Sequence, residues 1–212
     1  MPTLPEILDK LPFLSATSAI VGLAVAAGLI VLVEDWRLSL AALLAQYTLV
    51  GILLTGLIFP RIALIKVIVG ALICAVLYLT ALYVSAPRDH GERDRGVFAL
   101  GLPFRLLAVP VVGLAAAGLA GCHPLPQVPS EISFACYWLS LVGLLALMLT
   151  EEPLKAGQGL LTFVLGFELF YANLEQSLAV IGLLGMADLL LALAIAYLSV
   201  AGGRGLADEE ER

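Results

Sequence analysis

Three ionisable side chains stand inside long apolar runs: Lys66 in Ile65-Lys66-Val67, Glu168 in Gly166-Phe167-Glu168-Leu169, and Asp188 in Met186-Ala187-Asp188-Leu189. A charge held at the centre of a bilayer costs roughly 3 kcal/mol or more, so such residues face a protein interior or a hydrated pathway and mark ion and proton routes. Glu168 is expected about 16 Å along a helix starting near Gly157, close to the midplane, at a rise of about 1.5 Å per residue. A short Glu side chain cannot reach the interface from there and must be protonated, paired or hydrated. The chemistry implied is the handling of protons or ions. The alternative is a neutral carboxyl that bonds helices together.

Asp188 is expected about 17 Å inward from a start near Ser177, at the same depth as Glu168. Gly185 and Ala192 lie at i-3 and i+4 from it, so its helix face is small, permits close approach of another helix, and is expected to be buried in protein. Two carboxyls at matched depth on neighbouring helices form either a buried pair or successive stations for a proton. Lys66 is expected about 8 Å inside its helix if that helix starts at Arg61. It is read as a counter-ion or proton station, or alternatively as a side chain whose long stem lifts its ammonium to the interface.

The elements that position these residues follow from hydropathy. The 212 residues are 61% hydrophobic and 13% charged, with a mean hydropathy of +1.05, well beyond what a water-soluble domain needs for one core. Hydrocarbon about 30 Å thick needs about 20 apolar residues per helix. The runs predict spans at 14–33, 38–58, 61–84, 105–120, 132–150, 157–174 and 177–200, the fourth interrupted by Pro110. They are too long for strands and lack the alternation of a membrane barrel. The fold class expected is all-α, a polytopic transmembrane helix bundle of about seven spans.

Lys and Arg in the short loops set the orientation, because they are retained on the cytoplasmic side. Seven spans place Arg37, Arg88, Arg93, Arg95, Arg105, Lys155, Arg204 and Arg212 on the side of the C-terminus, and Lys10 and Arg61 on the other. The N-terminus is therefore expected outside and the C-terminus in the cytoplasm, in a cell inner or plasma membrane. Omitting the fourth span would blur this asymmetry. The N-terminal stretch with Glu6, Asp9 and Lys10 lacks a basic leader pattern and is expected to be retained. Much of the net charge of -6 sits in Asp208, Glu209, Glu210 and Glu211, read as a solvated end.

The stretch 121–131, with His123, Pro124, Pro126 and Pro129, discourages regular structure. It divides a four-span N-terminal unit, 1–120, from a three-span C-terminal unit, 132–212, that carries the acidic tail. The charged stretch 87–95 reads as a hydrated loop or, alternatively, a docking surface for a neighbouring subunit. Cys74, Cys122 and Cys136 show no ligand spacing and suggest no metal site, although a Cys122 to Cys136 bridge is left open. His90 and His123 have no matching ligands. Gln46, Tyr47 and Thr48 either line a polar passage or bond neighbouring helices. No nucleophile, phosphate loop or redox motif is present, so no cofactor, no metal and no independent catalysis are expected.

The C-terminal unit resembles the three-helix K-type subunit of respiratory complex I and its relatives in membrane-bound hydrogenases and cation/proton antiporters. The resemblance rests on Gly166-Phe167-Glu168-Leu169, continued by Ala172-Asn173-Leu174, with Asp188 standing where the family's last helix usually carries a glutamate. Over the whole chain the better resemblance is to component E of hydrogenase-4, through Trp36-Arg37-Leu38-Ser39 and Ile65-Lys66-Val67. It departs from the family in its Asp at 188 and in the loop Glu151-Glu152-Pro153-Leu154-Lys155.

The resemblance implies a non-redox subunit beside larger antiporter-like proteins, with Glu168, Asp188 and, by the same analogy, Lys66 in a chain of charges that couples proton or sodium movement to distant redox chemistry. Its partners would be those subunits and the lipid bilayer, with no nucleic acid. The competing expectations are a structural adaptor between antiporter-like subunits, and an autonomous secondary transporter, whose usual paired repeats and interrupted helices are not evident here.

Overall fold

The computed structural model describes residues 16–33, 35–57, 60–85, 102–126, 128–150, 152–175 and 177–210. These residues form seven α-helices: α1 (Ala16–Leu32), α2 (Trp36–Leu57), α3 (Pro60–Ser85), α4 (Leu102–Cys122), α5 (Ser130–Met148), α6 (Pro153–Leu174) and α7 (Leu178–Glu210). Five segments are long and apolar enough to cross a membrane: Trp36–Thr55, Ala63–Val84, Pro103–Cys122, Ser130–Met148 and Leu178–Gly202. Ser18–Leu32 is a shorter apolar helix. The chain is an all-helical bundle of a multi-pass membrane protein.

Helix α6 is 22 residues long yet is not among the five, because its inward face carries Gln158, Thr162 and Glu168 beside Gly157, Gly159 and Gly166. Its polarity is explained by its place, since it packs against α1, α2, α5 and α7. Backbone polar groups are satisfied within the helix, and its side-chain polar groups face protein rather than lipid. The segment of lowest mean hydropathy thus packs against four other helices.

Local sequence sets the helix ends. Pro153 occupies the first helical turn of α6, where a missing N–H costs nothing, and Glu152 precedes it in extended backbone. The helix therefore begins four residues before Gly157, the start expected from hydropathy. Helix α4 begins at Leu102 and runs unbroken through Pro110, which is exposed. The expected interruption does not occur, in line with the tolerance of apolar spans for interior proline. Helix α7 continues ten residues past the expected end at 200, into the acidic stretch at Glu210.

Helices α1, α2 and α3 pack in sequence order, as do α4 through α7, while α7 also packs on α3, and α2 on α6. The two expected units therefore share one continuous interior. The Ser39–Gln158 and Gln46–Thr162 contacts occur in the same order along α2 and α6, so these two helices run parallel from one face of the bundle, the Trp36/Pro153 face, and the short connections that follow each of them reverse the chain. Helices α3 and α7 start at the opposite, Pro60/Leu178 face. The closest seam joins α5 and α6. A Cβ on Gly143 would lie 2.5 Å from Phe163 N and 2.7 Å from Gly159 O, and one on Gly166 would lie 2.7 Å from Ser140 Oγ. Small residues let the backbones approach, as in other membrane helix pairs.

Candidate functional site

Lys66, Glu168 and Asp188 meet inside the bundle. The ammonium of Lys66 on α3 donates to Glu168 Oε2 on α6 and, at 2.7 Å, to Asp188 Oδ2 on α7. All three are buried, Lys66 at 4%, Glu168 at 5% and Asp188 at 0% exposure. Lys66 therefore does not reach outward to the interface. Its stem points the charge toward two carboxylates, which compensate it in a medium where an isolated ammonium is very costly.

The depth of Glu168 differs from the hydropathy expectation, while those of Lys66 and Asp188 stay close to it. Glu168 lies about 22 Å from the start of its helix, because α6 starts early at Pro153, and about 9 Å from Leu174. Lys66 is about 9 Å from Pro60, and Asp188 about 15 Å from Leu178. The cluster thus spans from the middle of the bundle toward the Pro60/Leu178 face. The small face expected around Asp188 is present: Gly185 and Ala192 are buried with it, and a Cβ on Gly185 would lie 3.3 Å from Val69 of α3.

Tyr47 on α2, fully buried, completes the group. Its hydroxyl donates to Asp188 Oδ2 at 3.3 Å, and its ring centroid lies 5.4 Å from the Lys66 ammonium. Space for the ring comes from Gly70 on α3, where a Cβ would collide with the Tyr47 ring. Four helices contribute to one site. Of the three α2 residues read as either lining a polar passage or bonding neighbouring helices, Tyr47 joins the charge cluster and Gln46 faces α6, while Thr48 bonds the Leu44 and Ala45 carbonyls of its own helix.

Each carboxylate uses one oxygen. Glu168 Oε1 and Asp188 Oδ1 are buried without a hydrogen-bonding partner among the described residues. The cluster is anionic with both carboxylates ionised and neutral with one proton on either of them. Chemically it is a site with one exchangeable proton, or a fixed ionic tie among α3, α6 and α7.

A second polar group lies toward the Trp36/Pro153 face. Ser39 Oγ donates to Gln158 Oε1, and the Thr162 hydroxyl lies 2.9 Å from the Gln158 carbonyl and 3.1 Å from Gln46 Oε1. Ser39, Gln46 and Gln158 are fully buried and Thr162 nearly so. Gln46 Nε2 and Gln158 Nε2 have no partner among the described residues. Exchanging the amide oxygen and nitrogen moves the unpaired atom but does not remove it, since each amide meets protein at one terminal atom only. Each unmade bond costs about 1–3 kcal/mol.

Ser39, Gln158 and Thr162 were not legible as site residues. The available signal was spacing: Ser39 and Gln46 share a face of α2 two turns apart, and Gln158 and Thr162 share a face of α6 one turn apart. The three cysteines are free, so the Cys122 to Cys136 bridge left open by the sequence is not formed. His123 is exposed, and its backbone carbonyl accepts from Tyr137 Oη at 3.0 Å. His90, the charged stretch 87–95 and the N-terminal residues 1–15 lie outside the described residues. Comparison with family models, curated proteins and solved structures finds no match to this chain.

Proposed function

We propose that this chain is a non-redox integral membrane subunit of a complex I-like or hydrogenase-4-like assembly and contributes to proton, or sodium, translocation through Glu168, Asp188 and Lys66. The observation that carries the reading is the burial of one ammonium against two carboxylates from different helices of a membrane bundle. A bundle needs no such group for stability, because a buried ion pair replaced by apolar side chains of similar volume is often neutral or stabilising. Intramembrane ionisable residues that persist at this cost are a functional hypothesis by default. The ammonium already occupies the place of a cation between the carboxylates, which favours protons over sodium.

The resemblance of Gly166-Phe167-Glu168-Leu169 to the K-type subunits supports the same reading and supplies the partners: larger antiporter-like subunits embedded in the same membrane. The charge bias supports a cytoplasmic position for the Trp36/Pro153 face, which carries Arg37 and Lys155, in an inner or plasma membrane. The test is proton translocation and coupled turnover in the intact complex carrying Glu168→Gln and Asp188→Asn. Loss of translocation with assembly intact is expected; unchanged translocation would refute the conducting role.

A structural adaptor is the second reading, favoured by the way Lys66 ties three helices together. Under that reading the double substitution lowers the amount of assembled complex before it lowers transport per complex.

A further inference from the structure

The charge cluster is bordered unequally on its two sides. On the four helices that carry the cluster, the buried positions toward the Pro60/Leu178 face are apolar, among them Val50 and Leu53 on α2, Ala63 on α3, Leu169 and Ala172 on α6, and Ile181 on α7, while Ser133 at that end of α5 bonds the Pro129 carbonyl one turn back at 3.2 Å. Asn173, the nearest amide on that side of α6, bonds the Leu169 carbonyl of its own helix at 2.7 Å. Toward the Trp36/Pro153 face, α2 and α6 instead turn Ser39, Gln46, Gln158 and Thr162 toward each other. These helices run parallel, so the four residues form two rungs. Ser39 and Gln158 lie about 5 and 8 Å from the starts of their helices, and Gln46 and Thr162 about 15 and 14 Å.

Two features distinguish these rungs from ordinary interhelical bonding. Each amide is buried with one terminal atom unpaired by protein, and such atoms are the usual anchors of ordered internal water, which needs two to four polar partners. The rungs also stop short of the charges. From Thr162 to Glu168 is six residues, about 9 Å along α6, and beyond that gap the cluster itself holds two buried carboxylate oxygens without a partner among the described residues, Glu168 Oε1 and Asp188 Oδ1.

We infer that Ser39, Gln158, Thr162 and Gln46 are the walls of a narrow water-filled access route that joins the Lys66–Glu168–Asp188 cluster to the Trp36/Pro153 face and to that face alone. A proton moving along it passes between waters held by the two amides and comes to rest on a carboxylate oxygen, taking the cluster from anionic to neutral. The reverse transfer returns it to water on the same side. Release toward a partner subunit would then run sideways from the cluster and not through the apolar cap. This inference rests on the proton-handling reading of the cluster.

The test reads access independently of transport. In the full chain with Cys74, Cys122 and Cys136 replaced by Ser, single cysteines are placed on the route (Ser39→Cys, Thr162→Cys) and in the cap (Ala172→Cys). Silver ion is applied in chloride-free medium to right-side-out and inverted membrane vesicles. Remaining thiols are then counted with a maleimide dye after denaturation. Thiols at 39 and 162 are expected to react at least tenfold faster from the Trp36/Pro153 side than from the other, with position 172 slow from both. A slow or reversed reaction at 162 with position 39 reactive would end the route below the cluster and overturn the inference, as would fast reaction at 172 from the Pro60/Leu178 side. Should Thr162→Cys fail to accumulate, Gln46→Cys on the same rung gives the same reading. A one-sided route together with unimpaired translocation in Glu168→Gln and Asp188→Asn would remove the functional proposal and leave the route standing. Lost translocation with no silver reactivity would do the opposite.

Discussion

Lys66 Nζ lies 2.7 Å from Asp188 Oδ2 across 122 residues of sequence, and the same ammonium holds Glu168. The pairing joins α3 to α7 and α6, so one buried cation links the two halves of the chain. Removing it leaves two carboxylates with no counter-charge in a site with under a tenth of its surface exposed.

Lys66→Met is therefore expected to destabilise the chain by about 3–5 kcal/mol, the usual cost of removing one partner of a buried pair. Lys66→Met combined with Glu168→Gln and Asp188→Asn removes every charge of the cluster and is expected to recover most of that loss. Thermal unfolding of the purified chain in one detergent, compared across the set, measures both. A triple variant as unstable as Lys66→Met would mean that packing, not uncompensated charge, sets the cost.

The carboxylates were legible because an acid in an apolar run has a single physical excuse, an interior or hydrated surrounding. Lys66 was ambiguous by the same physics, since its long stem makes two surroundings equally affordable and only the tertiary structure selects one. The depth of Glu168 was misjudged because hydropathy marks where apolarity begins, whereas Pro153 and Glu152 mark where the helix begins. Gln158 and Thr162 escaped notice as neutral residues within reach of local explanations, and their meeting with Ser39 and Gln46 depends on α2 and α6 running side by side, more than 110 residues apart. The all-helical class needed no tertiary information. Run length and the absence of alternation suffice for it.

Tyr47 and Gly70 make a second test. The bond from the Tyr47 hydroxyl to Asp188 is long, at 3.3 Å, so Tyr47→Phe keeps the ring and is expected to cost at most about 1 kcal/mol. Gly70→Ala is expected to cost more, about 1–3 kcal/mol, because its Cβ meets the ring in a packed interior. The order of the two melting temperatures decides whether ring placement or the hydroxyl bond dominates at this corner of the site.

The α5–α6 seam predicts a contrast between two glycines. Gly143→Ala would place a methyl 2.5 Å from Phe163 N and 2.7 Å from Gly159 O, both backbone atoms that cannot swing aside. A loss of about 2 kcal/mol or more is expected from forcing the helices apart. Gly118→Ala on α4 meets nothing within 4 Å and is expected to be neutral or to stabilise by up to about 1 kcal/mol through helix propensity. Equal melting temperatures for the two variants would show that the seam tolerates a wider separation than its backbone contacts imply.

The polar rungs predict opposite effects on stability and on access. Gln158→Leu alone removes an amide with an unpaired atom but orphans the buried Ser39 hydroxyl, so it is expected to change stability by less than about 1 kcal/mol. Ser39→Ala alone orphans Gln158 Oε1 and should cost about 1–3 kcal/mol. Together the two replace a half-satisfied polar pair by apolar groups, and the double variant is expected to be as stable as the parent or more so. A double-mutant cycle on melting temperature therefore gives a coupling of about 1 kcal/mol or more, favouring the double variant over the sum of the singles. If the rungs also carry water to the cluster, the same variant that melts highest will react slowest with silver at position 162, because it removes the groups that hold water while leaving the helices better packed. Stability gained at the expense of access separates residues kept for a pathway from residues kept for the fold. A double variant that melts lower than both singles would instead assign Ser39 and Gln158 to the bundle's own cohesion.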